Sequence, residues 1–315
     1  MRIKNVFNII MRNYALTFKT LLFKLCVFAV FATGLGLMLR LRMEGLINAF
    51  LPVSVNGTAV IRALFSTGSA EGVTEAFTES LRALMNYVSS NVGNIVLTAV
   101  ILVIGIFIYR FVSGISDCVA IISLDSYASS LSKKPYLGVL FENLGLIASF
   151  QAIEVCLAFI YTLALVAIDY LVASLFLKFL PLLAPFFCVA ISVAGHGLYN
   201  TMVSRFSTVR LVDKKSIKEA MRDGFRPQKG YFLKMFMNYS IISLLYTYLF
   251  TTTLVFTFGV GTVILIPLYS NVIAGMKIID SYVIEKKKYF IDYDNIVVPK
   301  ELRENDEQLL KDVDI

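Results

Sequence analysis

A single histidine, His196, and four scattered cysteines give this chain little with which to hold a metal. Cys26, Cys118, Cys156 and Cys188 show neither C-x-x-C nor paired-ligand spacing, so a zinc or haem centre has no ligand set, and the cysteines read as small apolar side chains in membrane helices. Charge is scarce at 16% of residues, and seven prolines with eighteen glycines exclude a collagenous or low-complexity chain. Catalytic signatures are missing as well: there is no G-x-S-x-G elbow, H-E-x-x-H, P-loop or dinucleotide fingerprint. The nearest approach, Ser113-Gly114-Ile115-Ser116-Asp117, lacks the second glycine and a nearby histidine. The expectation is a protein without cofactor, metal or catalytic residues, and not an enzyme.

What is abundant is apolar surface, with 57% hydrophobic residues and a mean hydropathy of +0.75. A soluble fold has no use for so much, and the fold class expected is an all-α, polytopic membrane helix bundle. Crossing the hydrocarbon layer takes about 20 mainly apolar residues, because no backbone polar group can stay unpaired there. Six runs qualify: 21–39, interrupted by Lys24; 95–118, carrying Arg110; 146–171; 181–200; 239–258; and 262–279. Only Gly259, Val260 and Gly261 separate the last two, enough for a tight hairpin. Ala32 and Gly34 mimic a signal cleavage site, but the apolar run continues to Leu39 behind a long basic lead-in, so the first span is expected to be retained. With the N-terminus inside, all of the 29 Lys and Arg except Arg40, Arg42, Arg62, Arg82 and Lys178 fall on the inner side, which places both termini in the cytoplasm of a plasma-membrane protein. The net charge of +7 then reports topology, and no nucleic-acid partner is expected.

The six spans read as three hairpins, each preceded by a short cytoplasmic amphipathic helix. Segments 4–14 (KNVFNIIMRNY), 134–144 (KPYLGVLFENL) and 215–225 (KSIKEAMRDGF) share one grammar, in which Met11-Arg12-Asn13, Phe141-Glu142-Asn143 and Met221-Arg222-Asp223 coincide. A basic signal follows each even-numbered span, in Ser132-Lys133-Lys134, Asp213-Lys214-Lys215 and Glu285-Lys286-Lys287. Ser216 and Glu219 form a capping box, Gly224 suits a left-handed C′ position, and Pro135 fits a first helical turn. In the first segment Val6, Ile10, Tyr14 and Phe18 recur every four residues, as in a helix lying flat at headgroup level with its apolar face down.

The expected layout is a lead-in helix over 1–20, a six-span domain over 21–280 and a cytoplasmic tail over 281–315. An external loop covers 41–94 and cytoplasmic loops cover 119–145 and 201–238. Within the external loop, Val73, Phe77, Leu81, Leu84, Met85 and Val88 mark an amphipathic helix that would cap the outer face. The acidic tail has too little apolar content for a core and is expected to be a mobile appendage in which Pro299 opens a short helix.

Ionisable groups inside spans are costly and point to function. Arg110 and Glu154 sit at similar depths and could pair; Gln151 shares a face with Glu154, and His196 and Asn200 could join them. The cluster reads either as a path for a polar substrate or proton, or as a neutralised pair fixing helix packing. Lys214, Lys215, Lys218, Glu219, Arg222 and Arg226 are candidates for headgroup or partner contact, with ordinary positive-inside flanking as the plainer reading. Six spans with lead-in helices, and the pattern around 216–225, resemble bacterial membrane proteins of the YciC type and the membrane domain joined to some glycerophosphodiester phosphodiesterases. That resemblance covers about residues 1–290 and implies an architecture but no activity, since no phosphodiesterase domain is present. Two functions stand: a non-enzymatic envelope scaffold or lipid-engaging component, with membrane lipids as partners; or a permease subunit of an ATP-driven transporter. The second rests on Lys218-Glu219-Ala220 in a short helix between spans four and five, where such permeases keep the helix that contacts their ATPase.

Overall fold

The structure is a computed structural model that describes residues 2–67, 73–179, 183–226, 230–257 and 261–303. It is an all-α bundle of ten helices among the described residues, with one small hairpin of two-residue strands. The helices are α1 (Arg2–Arg12), α2 (Tyr14–Thr67), α3 (Thr74–Ser90), α4 (Val92–Ser130), α5 (Tyr136–Glu142), α6 (Leu144–Phe179), α7 (Ala184–Leu211), α8 (Ile217–Gly224), α9 (Phe232–Phe256) and α10 (Thr262–Ile284), followed by β1 (Tyr289–Phe290) and β2 (Ile296–Val297). Five stretches are long and apolar enough to cross a membrane: Tyr14–Arg40, Val92–Ser130, Leu144–Phe176, Phe186–Leu211 and Thr262–Ile284. The molecule is therefore consistent with a multi-pass membrane protein. The expected fifth span lies on α9, whose 25 residues would reach about 37 Å at 1.5 Å per residue but are diluted by Ser240, Ser243, Thr247 and Thr251–253. The expected hairpin at Gly259 and Val260 lies outside the described residues.

Packing divides the chain into two units, Met1–Leu25 with Arg110–Ile315, and Cys26–Tyr109. In the second unit the stretch expected to be an external loop is mostly helical. α2 does not stop near residue 40 but continues to Thr67, 54 residues in all, because no run of turn residues interrupts it and Pro52 is accommodated within it. The rest of the unit runs antiparallel to α2. Phe31 meets Tyr109 edge-on at 5.8 Å, Arg42 donates to Asn94 Oδ1 at 3.3 Å, and Asn56 Nδ2 donates to the carbonyl of Ala76 at 3.2 Å. The amphipathic helix read from 70–90 is α3, and its partner within the unit is α2.

In the first unit α7 and α10 are central. α7 packs on α6, α8, α9 and α10, while α10 packs on α1, α7 and α9. α10 is also the most enclosed candidate span, with 56% of its most apolar window buried against at most 28% for the others, so it faces protein where they face surroundings. Tyr239 donates to Ser204 Oγ at 3.0 Å, and Tyr246 stacks on Tyr269 at 4.1 Å, joining α9 to α7 and α10.

α1 departs from the flat, lipid-facing helix that its period suggests. Val6, Ile9 and Ile10 are buried against α10, where Gly275 lets Val6 approach, while Tyr14 and Phe18 are exposed and belong to α2. The reason is that a better apolar partner exists in the protein: α10 offers a buried face and Asp280 a counter-charge. Arg2 Nη1 lies 2.9 Å from Asp280 Oδ1, and the Asp280 side chain is fully buried.

The tail also departs from the mobile appendage expected of it. β1 pairs antiparallel with β2, Tyr289 and Ile291 are buried, and Asn5 Nδ2 donates to the Tyr289 hydroxyl at 2.6 Å, so a few apolar side chains suffice to dock residues 289–297. A helical turn begins at Lys300, after Pro299, and residues 304–315 lie outside the description.

The repeated basic signals fall on a repeated backbone feature. Among the described residues, Leu131, Lys214 and Lys286 are the non-glycine residues with left-handed backbone, at φ of 57°, 54° and 56°, and each lies just past α4, α7 or α10. Asn13 and Asn143 likewise mark one kink twice, each donating its amide to the carbonyl four residues back. The Ser216–Glu219 capping box is formed. Gly224 is helical instead of left-handed: a Cβ there would stand 2.5 Å from Phe206 Cα, so the glycine serves the close approach of α8 to α7.

Removing one partner of a buried ion pair leaves the other charge uncompensated at about 3–5 kcal/mol. Arg2→Met is therefore expected to lower stability in detergent strongly, and Arg2→Met with Asp280→Asn to recover much of it. Equal melting of the single and double variants would show the pair to be inert.

Candidate functional site

Four helices of the first unit, α4, α6, α7 and α10, line a cavity of about 270 Å³. Each contributes a stripe at helical spacing: Arg110, Gly114, Asp117 and Ile121 from α4; Gln151 and Glu154 from α6; His196, Tyr199 and Asn200 from α7; Tyr269, Ser270, Ile273 and Lys277 from α10. All five residues read as an intramembrane polar cluster, Arg110, Gln151, Glu154, His196 and Asn200, lie on its wall.

The bonding among them differs from expectation. No Arg110–Glu154 ion pair forms among the described residues. Glu154 instead accepts from the Tyr199 hydroxyl at 2.7 Å and from Gln151 Nε2 at 3.3 Å, so neutral donors on its own and the neighbouring helix satisfy it while Arg110 stays exposed at the rim. Gln151 reaches that position because Gly114 has no side chain, and its Oε1 takes the Cys118 thiol at 3.4 Å. The Asn200 amide turns back to the carbonyl of His196 at 3.0 Å and makes no link to Glu154.

The sequence reading missed Lys24, Asp117, Tyr199 and Lys277. Lys24 Nζ lies 2.7 Å from both Asp117 Oδ1 and Ser270 Oγ, joining α2, α4 and α10. A signal was available: Asp117 follows Arg110 by seven residues on one helical face, and Lys277 follows Ser270 by the same interval. Lys277 lies just inside the end of the sixth apolar run, and α10 continues seven residues beyond it. Neither Arg110 nor Lys277 has a hydrogen-bond or ion-pair partner among the described residues. The basic residues Lys24, Arg110 and Lys277 outnumber the acidic residues Asp117 and Glu154 around the site by one.

The second set of candidates is not gathered into one site. Lys215 and Arg222 both engage Asp223, at 3.4 and 3.2 Å, and their contacts hold its carboxyl below the ordinary range. Glu219 is committed to Ser216, whose hydrogen bonds lower its carboxyl likewise. Lys214 and Lys218 are exposed on the turn before α8 and on α8, and Arg226 lines a separate cleft with Arg205 and Phe225. No group of His, Cys, Asp and Glu among the described residues is arranged to hold a metal.

The Tyr199–Glu154 bond is open to a double-mutant cycle. A hydrogen bond to a charged group contributes about 1.5–3 kcal/mol, so Tyr199→Phe is expected to destabilise by that order, and by about half as much once Glu154→Gln is present. Thermal melts in detergent measure both, and additive losses would exclude the coupling. Compared with protein-family models, curated proteins and solved structures, the chain matches none.

Proposed function

We propose that this chain is a six-span protein of the bacterial plasma membrane that engages anionic lipid and performs no chemistry of its own. Its spans form three hairpins with amphipathic lead-in helices, and both termini are cytoplasmic. One observation carries the reading: Arg110 and Lys277 face one cavity and neither makes a hydrogen bond or ion pair among the described residues. A lone cation at hydrocarbon depth is costly unless an anion or water meets it. Asp117 is already held by Lys24 and Glu154 accepts from Tyr199 and Gln151, which leaves room for an anion from outside the fold. A phospholipid supplies one from the layer itself, its phosphate between the cations and its chains against Ile121, Phe150 and Ile273.

A second reading, a permease subunit with a cytoplasmic ATPase, draws on α8, an eight-residue helix between α7 and α9 that exposes Lys218, Met221 and Arg222. Loss of a co-purifying ATPase on Met221→Glu would favour it, and the absence of such a partner removes it.

The lipid reading is tested by purifying the full chain in mild detergent and quantifying retained phospholipid by mass spectrometry. Wild type is expected to retain anionic over zwitterionic lipid beyond their proportion in the membrane. Arg110→Gln with Lys277→Met is expected to weaken that preference roughly tenfold, about 1.4 kcal/mol. Unselective retention by wild type, or an unchanged preference in the variant, overturns the proposal.

A further inference from the structure

Away from the cavity, a cleft of about 160 Å³ lies where α1 gives way to α2 and where the link after α4 enters α5. Its wall holds four cations, Arg12, Lys19, Lys133 and Lys134, and no carboxylate. Among the described residues, the only acidic group bonded to any of them is Asp292, 3.5 Å from Arg12. Lys133 is fixed in place, since its Nζ donates to the carbonyl of Arg12 at 2.9 Å and sits 5.8 Å from the Tyr127 ring centroid. Lys19 and Lys134 have no hydrogen-bond or ion-pair partner among the described residues. The first turn of α2, Tyr14 to Leu16, lines the cleft too.

A second, independent feature points the same way. Ser123 is 8% exposed, lines the cleft, and its Oγ is buried without a hydrogen-bond partner. A buried hydroxyl left unpaired costs free energy, so a ligand acceptor there would remove a penalty. The neighbouring Tyr136 hydroxyl is already spent on Ser116 Oγ at 2.8 Å, and burial pushes its ionisation up to about 12, so it adds no negative charge.

We propose that this cleft binds a phosphate group, either the head of a membrane phospholipid or free phosphate. The lysines and Arg12 meet its charge and Ser123 donates to one of its oxygens. Ammonium groups act as point charges on phosphate, and a hydroxyl gives the directed bond they lack. Basic pockets between membrane helices take lipid heads in this way. The cleft differs from the α8 cluster, where Asp223 already occupies Lys215 and Arg222. It shares no residue with the cavity, so it stands whether or not the cavity holds lipid.

The test titrates the full chain in neutral detergent with dihexanoyl phosphatidic acid, inorganic phosphate and dihexanoyl phosphatidylcholine, with binding read by calorimetry. Saturable binding of phosphatidic acid or phosphate is expected, weakened at least roughly tenfold in Lys19→Gln/Lys134→Gln and roughly threefold in Ser123→Ala. Lys134→Arg should bind as wild type, as should Arg110→Gln/Lys277→Met at the cavity. Tighter binding of phosphatidic acid than of phosphate assigns the head to a lipid, and equal binding assigns free phosphate; both support the site. Lys19 and Lys134 are exposed, so unchanged melting of the double variant is expected to accompany its loss of binding. Wild-type binding by the double variant, loss of binding only in the cavity variant, or equal binding of phosphatidylcholine overturns the proposal.

Discussion

A carboxylate with no exposed surface must have a counter-charge, and Asp280 finds it in Arg2. Much of the first unit follows from that requirement. The pair draws α1 onto α10 and buries Val6, Ile9 and Ile10 there. With α1 fixed, its C-terminal residue Arg12 is placed where Lys133 can reach its carbonyl, which ties the link after α4 to the junction between α1 and α2. The cleft at that junction is thus a product of a bond made at the other end of α1.

Polar residues in the apolar helices divide into two kinds. Thr20, Thr98, Thr162 and Thr201 bond the carbonyls four residues back on their own helices, which hides the hydroxyl and lets the residue face any surroundings. Lys24, Glu154 and Tyr199 reach across to other helices instead. Lys24, Glu154 and Tyr199 meet around the cavity, and there three cations face two carboxylates, so one positive charge is left over. That imbalance, and not the presence of polar groups as such, separates a place for a ligand from a packing device.

The periodic features were legible in the sequence. Long apolar runs announced the helices, Ser216 and Glu219 announced the start of α8, and shared depth grouped Arg110 with Glu154. What escaped was decided by contacts between residues far apart in the chain. The apolar stripe of α1 is the same whether lipid or α10 receives it, and Arg2 and Asp280 are 278 residues apart. Tyr289 reads as part of an acidic tail until Asn5 is placed against it. Gly224 fits a helix stop as well as a contact with Phe206, and only the approach of α7 decides. The partner of Glu154 was misjudged because depth orders residues along the membrane normal but does not say which helices are neighbours: α6 faces Tyr199 on α7 more closely than Arg110 on α4.

The seal between α1 and α10 also orders events during synthesis. α1 emerges from the ribosome long before the helix that will cover it, so Val6, Ile9 and Ile10 must wait, bare, while every intervening helix is inserted. A chain lacking α10 therefore displays on its leading helix an apolar stripe that the finished protein conceals.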